Sequence, residues 1–262
     1  APQAHLLRAS LRHQLGNDAG VIEDIGALLA TSPAEPARSD ALYLRGLSQA
    51  RRQEFSAAAE SFRTIVNGNA AYHAVDRVLY ELAWAEQQTD PAAAAATFRH
   101  LAEKHPDSPL AAECWFRVGE SQLENEQPAA AAESFAQSES LATDDDALKE
   151  KSLHRKAWAF LQAGDTRRSN AEFTRQVAMF PKGALAADAR VMMAEAHFEE
   201  KQYGTALAGY DKALASEAIS KNLQAVALLH AAQAAAQLEQ WDKSIRLLDR
   251  AAAEPASPHL SQ

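Results

Sequence analysis

Apolar residues along this chain fall three and four positions apart, stretch after stretch, with short polar breaks between them. That spacing is the period of an α-helix with one buried face. Between Trp115 and Phe135, the residues Trp115, Val118 and Gln122 share one face, a polar break follows, and Ala131 and Phe135 stand one turn apart. The pattern predicts two helices, A and B, joined by a short turn. About seven such units follow one another at intervals of roughly 37 residues.

The copies fall near 2–38, 39–74, 75–111, 112–149, 150–186, 187–224 and 225–258, a single array over 1–262. In the first, His5 to Leu15 forms helix A with Leu7, Leu11 and Leu15 on one face. Gly16-Asn17-Asp18 is its turn, with Asp18 as N-cap, and Val21, Ile25 and Leu28 line helix B up to Pro33. The second places Leu42, Arg45, Gly46 and Gln49 on helix A and Ala58, Phe62 and Ile65 on helix B, with a stop at Asn67-Gly68-Asn69. The third has Val78, Leu82 and Trp84, then Asp90-Pro91 as N-cap and first-turn proline, then Ala94, Phe98 and Leu101. The fifth has Leu153, Ala157 and Phe160, the turn Gly164-Asp165, then Ser169 and Phe173. The sixth has Met193, Ala194 and His197 before Tyr203, Ala206, Tyr210 and Ala213. The seventh has Leu228, Ala232 and Ala235 before Trp241, Ser244 and Leu248, and Pro255-Ala256-Ser257-Pro258 reads as a terminator. A generic helical bundle shows the same period, but it has no reason to repeat Gly or Ala and then Phe in a fixed register.

That register, Trp115-x2-Val118-Gly119-x2-Gln122 and then Ala131-x3-Phe135, resembles the tetratricopeptide repeat, W-x2-L-G-x2-Y, later A-x3-F, later P. Gln122 stands in place of Tyr, and Thr143 in place of Pro. Gly119 has no side chain to hold a second helix away, Ala131 is the small residue on that helix, and Phe135 fills the space between. The resemblance covers nearly the full chain. It implies an all-α fold, a right-handed superhelix (α-solenoid) of about seven hairpins, working as a non-enzymatic scaffold for other proteins. The junctions from His105-Pro106-Asp107-Ser108 to Glu113 and from Phe180-Pro181-Lys182-Gly183 to Ala189 resemble those of bacterial envelope repeat proteins, such as the barrel-assembly lipoprotein and the Tol-Pal cell-division coordinator. That sub-type implies a periplasmic or envelope location, with the cytoplasm as the alternative. The lipobox Cys and the coiled coil of those two proteins are absent from the sequence.

Composition narrows the partner. The 262 residues are 47% hydrophobic, rich in Ala, and carry a net charge of −9. An acidic chain argues against nucleic acid or anionic lipid as the main partner. No run approaches the about 18 apolar residues of a membrane span. The single Cys114 has no internal disulfide partner, and beside Trp115 on a helix it reads as a buried, inert thiol. The chain begins Ala1-Pro2-Gln3, the start of a processed protein or of a cut one, and no polar capping helix follows Leu248. Either a longer chain or self-association through the terminal repeats is expected.

No catalytic constellation stands out: there is no G-x-S-x-G, Walker loop, G-x-G-x-x-G or H-E-x-x-H. His100 and His105 are five apart, on different helix faces, and Asp144-Asp145-Asp146 reads as a cap and favourable charge before Leu148. No cofactor or metal is expected, and no enzyme activity.

Each helix A of such an array presents one side to a concave groove. By register that side carries Tyr43, Leu47 and Arg51, then Leu79, Tyr80 and Ala83, then Phe116, Glu120 and Leu123. His154, Arg155, Trp158 and Leu161 follow, then Glu195, Phe198 and His230. Trp158 is the foremost candidate, since aromatics and Arg dominate binding hot spots. It lies off the face of Leu153, Ala157 and Phe160; the alternative is packing against its neighbour. A carboxylate clamp would need Lys and Asn where Tyr43, Leu47, Phe116, Glu120, His154 and Trp158 stand.

Charge is uneven. Lys149, Lys151, Arg155, Lys156, Arg167, Arg168 and Arg175 fall in the fifth copy, and Glu113, Glu120, Glu124, Glu126, Glu133 and Glu139 in the fourth. They form either a bipolar groove for a peptide of mixed charge or neighbouring faces that neutralise each other. The function expected is peptide or protein binding in the groove. A structural spacer or oligomerisation module, or a regulatory repeat domain from a longer multidomain protein, is the alternative.

Overall fold

A computed structural model describes residues 2–253 of the chain. Among them are fourteen helices and no strand. The chain divides into two compact units at Asn125 and Glu126. The first holds α1 (Pro2–Gln14), α2 (Asp18–Leu29), α3 (Ala37–Arg51), α4 (Phe55–Gly68), α5 (Val75–Gln87), α6 (Pro91–Lys104) and α7 (Ala111–Glu124). The second holds α8 (Pro128–Leu141), α9 (Asp146–Gln162), α10 (Thr166–Met179), α11 (Ala186–Glu199), α12 (Tyr203–Leu214), α13 (Lys221–Gln237) and α14 (Trp241–Ala253). In each unit every helix packs on the next in the chain, and α1 on α3, α3 on α5 and α11 on α13 pack two apart. This is the nearest-neighbour packing of an all-α repeat solenoid.

One register of buried residues recurs along the helices of both units. On the second helices Val21, Ala58, Ala94, Ala131 and Ala206 are wholly buried, with Ser169 and Ser244 nearly so. One turn later Ile25, Phe62, Phe98, Phe135, Phe173 and Tyr210 are buried as well. On the first helices the matching small residues are Ala9, Gly46, Ala83, Gly119, Ala157, Ala194 and Ala232, all buried. Gly46 shows why they are small: a β-carbon there would lie 2.5 Å from the Phe62 ring.

The turns between helices are made locally. Asp90, Asp145 and Asp165 cap α6, α9 and α10, accepting from the amides of Ala93, Leu148 and Arg168 at 3.1, 2.9 and 2.9 Å. Asp145 lies in the acidic triplet, so that triplet caps a helix as expected. At α2 the cap is Asn17, whose Oδ1 accepts from Gly20 N at 3.0 Å, and Asp18 is instead the first helical residue. The Asp18 carboxylate is engaged by Arg51 Nη1 at 3.2 Å.

The terminal helices depart from the sequence reading too. Leu7, Leu11 and Leu15 of the first copy face outward, 64%, 52% and 84% exposed, while Ala9 and Leu6 pack on α2. In α14 Ser244 and Leu247 are the buried pair, and Trp241, Ile245 and Leu248 are exposed. In inner hairpins such faces are covered by the neighbouring helix. The terminator at Pro255 to Pro258 lies outside the described residues, and no described helix is long and apolar enough to cross a membrane.

Candidate binding surface

In the first unit Tyr43 and Tyr80 are half-buried and line one cleft, whereas Leu79 and Ala83, also expected in the groove, are buried in the core. Tyr43 of α3 packs its ring against Phe62, centroids 6.0 Å apart. Tyr80 of α5 meets Trp84 and Phe98 edge-on, both at 6.1 Å. Tyr43 and Tyr80 line an open cleft of about 550 Å³ together with Glu81, Arg77 and Pro109. Burial raises the pKa of both phenols, so they stay protonated at neutral pH.

The other first-unit candidates divide. Leu47 packs at the edge of the core around Phe62. Arg51 is exposed, but its guanidinium is spent on Asp18 and on the His13 carbonyl at 3.2 Å, tying α3 to the first hairpin. Phe116 is half-buried on α7, with the Arg117 guanidinium 5.8 Å from its ring and 4.8 Å from Trp84. Arg117 is also paired with Glu113 at 2.6 Å. Glu120 is half-buried on the same helix. Cys114 is buried, and burial pushes its thiol up to about 12, so it is no nucleophile near neutral pH.

In the second unit His154 and Trp158 form one construction. Trp158 Nε1–H donates to His154 Nε2 at 2.9 Å, and His154 Nδ1 lies 3.0 Å from Gln176 Oε1. Since Nε2 accepts, the imidazole proton sits on Nδ1 and points at Gln176. The Trp158 ring also stands perpendicular to Phe173, centroids 6.2 Å apart. Trp158 therefore packs inside its own hairpin while keeping part of its surface open. His154 itself is buried, only 7% exposed, so it orients Trp158 and has little surface for a partner. Arg155 is half-buried beside them.

Glu195, Phe198 and His230, expected to extend the groove, come together. Glu195 Oε1 accepts from the Tyr210 hydroxyl at 2.7 Å, and Oε2 lies 2.7 Å from His230 Nδ1. One carboxylate thus joins α11, α12 and α13. Phe198 stacks flat on His230, centroids 5.0 Å apart and 6° between planes.

Part of the charge unevenness resolves into an internal cluster. Lys156, buried, reaches Glu139 at 2.8 Å and Glu172 at 3.0 Å, and Arg175 binds the same two carboxylates. Burial of Glu139 would raise its pKa, but the bonds from Arg175 and Lys156 outweigh that and hold it low. Glu150, also buried, accepts from the amides of Ala184 and Leu185, both at 3.0 Å, before α11. Spacing could not show this, because Lys156 and Glu139 look like surface charges until three helices close over them. Glu81, Trp84, Arg117 and Gln176 were also missed. The one available signal was their helix-A or helix-B register next to a predicted residue.

Among the described residues no group of three or more His, Cys, Asp or Glu side chains is placed to hold a metal. Stacked helical hairpins with open, half-buried aromatic faces define a helical-repeat protein. A family model, tetratricopeptide repeat, matches residues 84–146 and 154–222, half of the chain. The chain belongs to the tetratricopeptide-repeat family, a family of protein–protein interaction scaffolds that are generally not enzymes. No curated protein sequence matches it. Among solved structures, it is similar to a tetratricopeptide repeat protein from Parabacteroides merdae at 13% identity and TM-score 0.57, over 99% of this chain and 95% of that one. It is similar to the C-terminal part of a TPR repeat-containing protein from Cytophaga hutchinsonii at 15% identity and TM-score 0.67, over 86% of each. YrrB, described as a TPR protein with an unusual peptide-binding site, matches at 15% identity and TM-score 0.54, over 74% of this chain and 91% of its own. At such identities the likeness is one of fold.

Proposed function

We propose that this protein is a non-enzymatic scaffold that binds a peptide segment or a partner protein on its helix-A faces. The observation that carries the reading is a recurrence: half-buried aromatic side chains on successive first helices, Tyr43, Tyr80 and Phe116 each three residues before the small position of its helix in the first unit, and Trp158, Phe198 and His230 within four residues of it in the second. Aromatic groups already held by neighbours lose little freedom on binding, which suits them to be anchors. YrrB's peptide-binding site supports the reading by analogy of fold. The family match runs across the boundary between the units, from 84 to 146, which supports one continuous array over 1–262. The Pro106 and Pro181 junctions support an envelope scaffold, which fractionation of the native host would test. Protein, not nucleic acid, is the partner class that the net charge of −9 favours.

The test is affinity capture from the native host with mass-spectrometric identification, followed by Trp158→Ala and Phe116→Ala. Both variants should stay folded and lose the captured partner. Retention of the partner by both would leave the protein a spacer. A second reading, self-association through the terminal hairpins, is favoured by the exposed Leu7 and Leu11 of α1, Leu15 just after it, and Trp241, Ile245 and Leu248 of α14. Sedimentation that shows a monomer at high concentration would remove it.

A further inference from the structure

Among the described residues Glu81 stands apart from the other sheltered carboxylates. Asp24 is held by Arg8 and Arg12, Glu86 by Arg63 and Thr97, Glu139 by Lys156, and Glu150 by two backbone amides. Glu81 of α5 is half-buried in the wall of the cleft of about 550 Å³. Among the described residues no hydrogen bond or ion pair reaches it, and burial alone raises its pKa. The neighbouring Asp76 is already matched, accepting from Ser108 Oγ at 2.7 Å. Arg77 and His73, which also line the cleft, sit at its exposed rim.

An anion stripped of part of its water with nothing in exchange is unfavourable. An entering cation relieves it. Two tyrosine rings, Tyr43 and Tyr80, line the same cleft, and aromatic faces accept both the apolar stem and the charged head of a long basic side chain. The net charge of −9 favours approach of a basic segment.

We propose that this cleft is a specificity subsite for a lysine or arginine side chain of the bound segment, its charge on the Glu81 carboxylate and its stem against Tyr43 and Tyr80. The proposal rests on the groove reading above and adds to it the chemistry of one partner residue.

The test is selection of binders to the full chain from a random 12-residue peptide phage library, with Glu81→Gln as the parallel target. On the wild type, peptides with a basic residue at one aligned position should dominate. Glu81→Gln should weaken the best of them about 10- to 100-fold, the range for a charge-assisted bond. The same peptide with that lysine replaced by methionine should bind wild type and Glu81→Gln alike. Glu81→Lys should prefer the peptide carrying glutamate there. Glu81→Gln should melt at or above the wild-type temperature, because the carboxylate has no bond to lose. Peptides that lose binding on Phe116→Ala or Trp158→Ala but show no basic preference would overturn the subsite and leave the groove standing. A library yielding no peptide above background would overturn both.

Discussion

Lowering the pH from 7 to 5 should loosen the second unit through one side chain. His154 is buried, its Nε2 accepts from Trp158 and its Nδ1 donates to Gln176. A second proton has only Nε2 to go to, and there it would face the Trp158 N–H, donor against donor. Burial lowers the His154 pKa, offset in part by the Gln176 bond and the Asp188 charge; Arg155 disfavours the cation and Glu150 favours it. In the unfolded chain the imidazole titrates near its ordinary value of about 6.5. The folded state therefore holds fewer protons below that value. The stabilisation is fully present above pH 6.5 and is lost as the pH falls from there toward the lowered folded pKa.

The size follows from the bonds. Breaking the Trp158 bond and stranding a buried donor costs about 1–3 kcal/mol. Linkage for one proton caps the loss at about 1.4 kcal/mol per pH unit, so about 2 kcal/mol between pH 6.5 and 5. Urea denaturation followed by circular dichroism at half-unit steps of pH measures it. His13 is also lowered, by burial and then by Arg51, so the comparison is made in a His13→Asn background. There His154→Gln, whose amide oxygen can accept from Trp158 but cannot titrate, should flatten the profile. Trp158→Phe should lessen the slope by freeing Nε2. Equal slopes in the parent and both variants would refute the reasoning.

Gly46→Ala should destabilise by about 1–3 kcal/mol, because its β-carbon would press to 2.5 Å from the Phe62 ring, and Phe62→Leu in the same chain should recover part of that in urea titrations. Gln53, Glu126, Lys201 and Glu239 hold φ values of 62, 57, 60 and 59°, so glycine at each should stabilise by up to about 1 kcal/mol, seen as a higher melting temperature. Gly164, with φ 78°, should lose about as much on replacement by alanine. Lys156→Ala leaves buried Glu139 to Arg175 alone and should destabilise by about 1–3 kcal/mol, while Lys156→Met combined with Glu139→Leu should regain most of it; an unchanged urea midpoint for the single variant would contradict the buried pair.

The hairpin register was readable in the chain alone. A small residue and then a large ring one turn later, as at Ala58 and Phe62 or Ala206 and Tyr210, constrains two helices that are near neighbours in sequence, and the constraint is written in side-chain size. Caps such as Asp90 and Asp165 were equally local. The candidate surface was readable only as a register. Spacing gives the side of a helix on which Trp158 or His154 stands, but not how far the partner helix of its hairpin closes over it.

That closure is made by residues 17 to 33 positions away, and it decided the rest. It buried His154 against Gln176, turned Lys156 and Glu139 from surface charges into an internal pair, and gave Asp18 to Arg51 instead of to a cap. It left Leu7, Leu11 and Leu15 facing outward and Glu81 without a partner among the described residues. Helix periodicity is a property of the chain; which face is covered, and by what, is set by the packed neighbours.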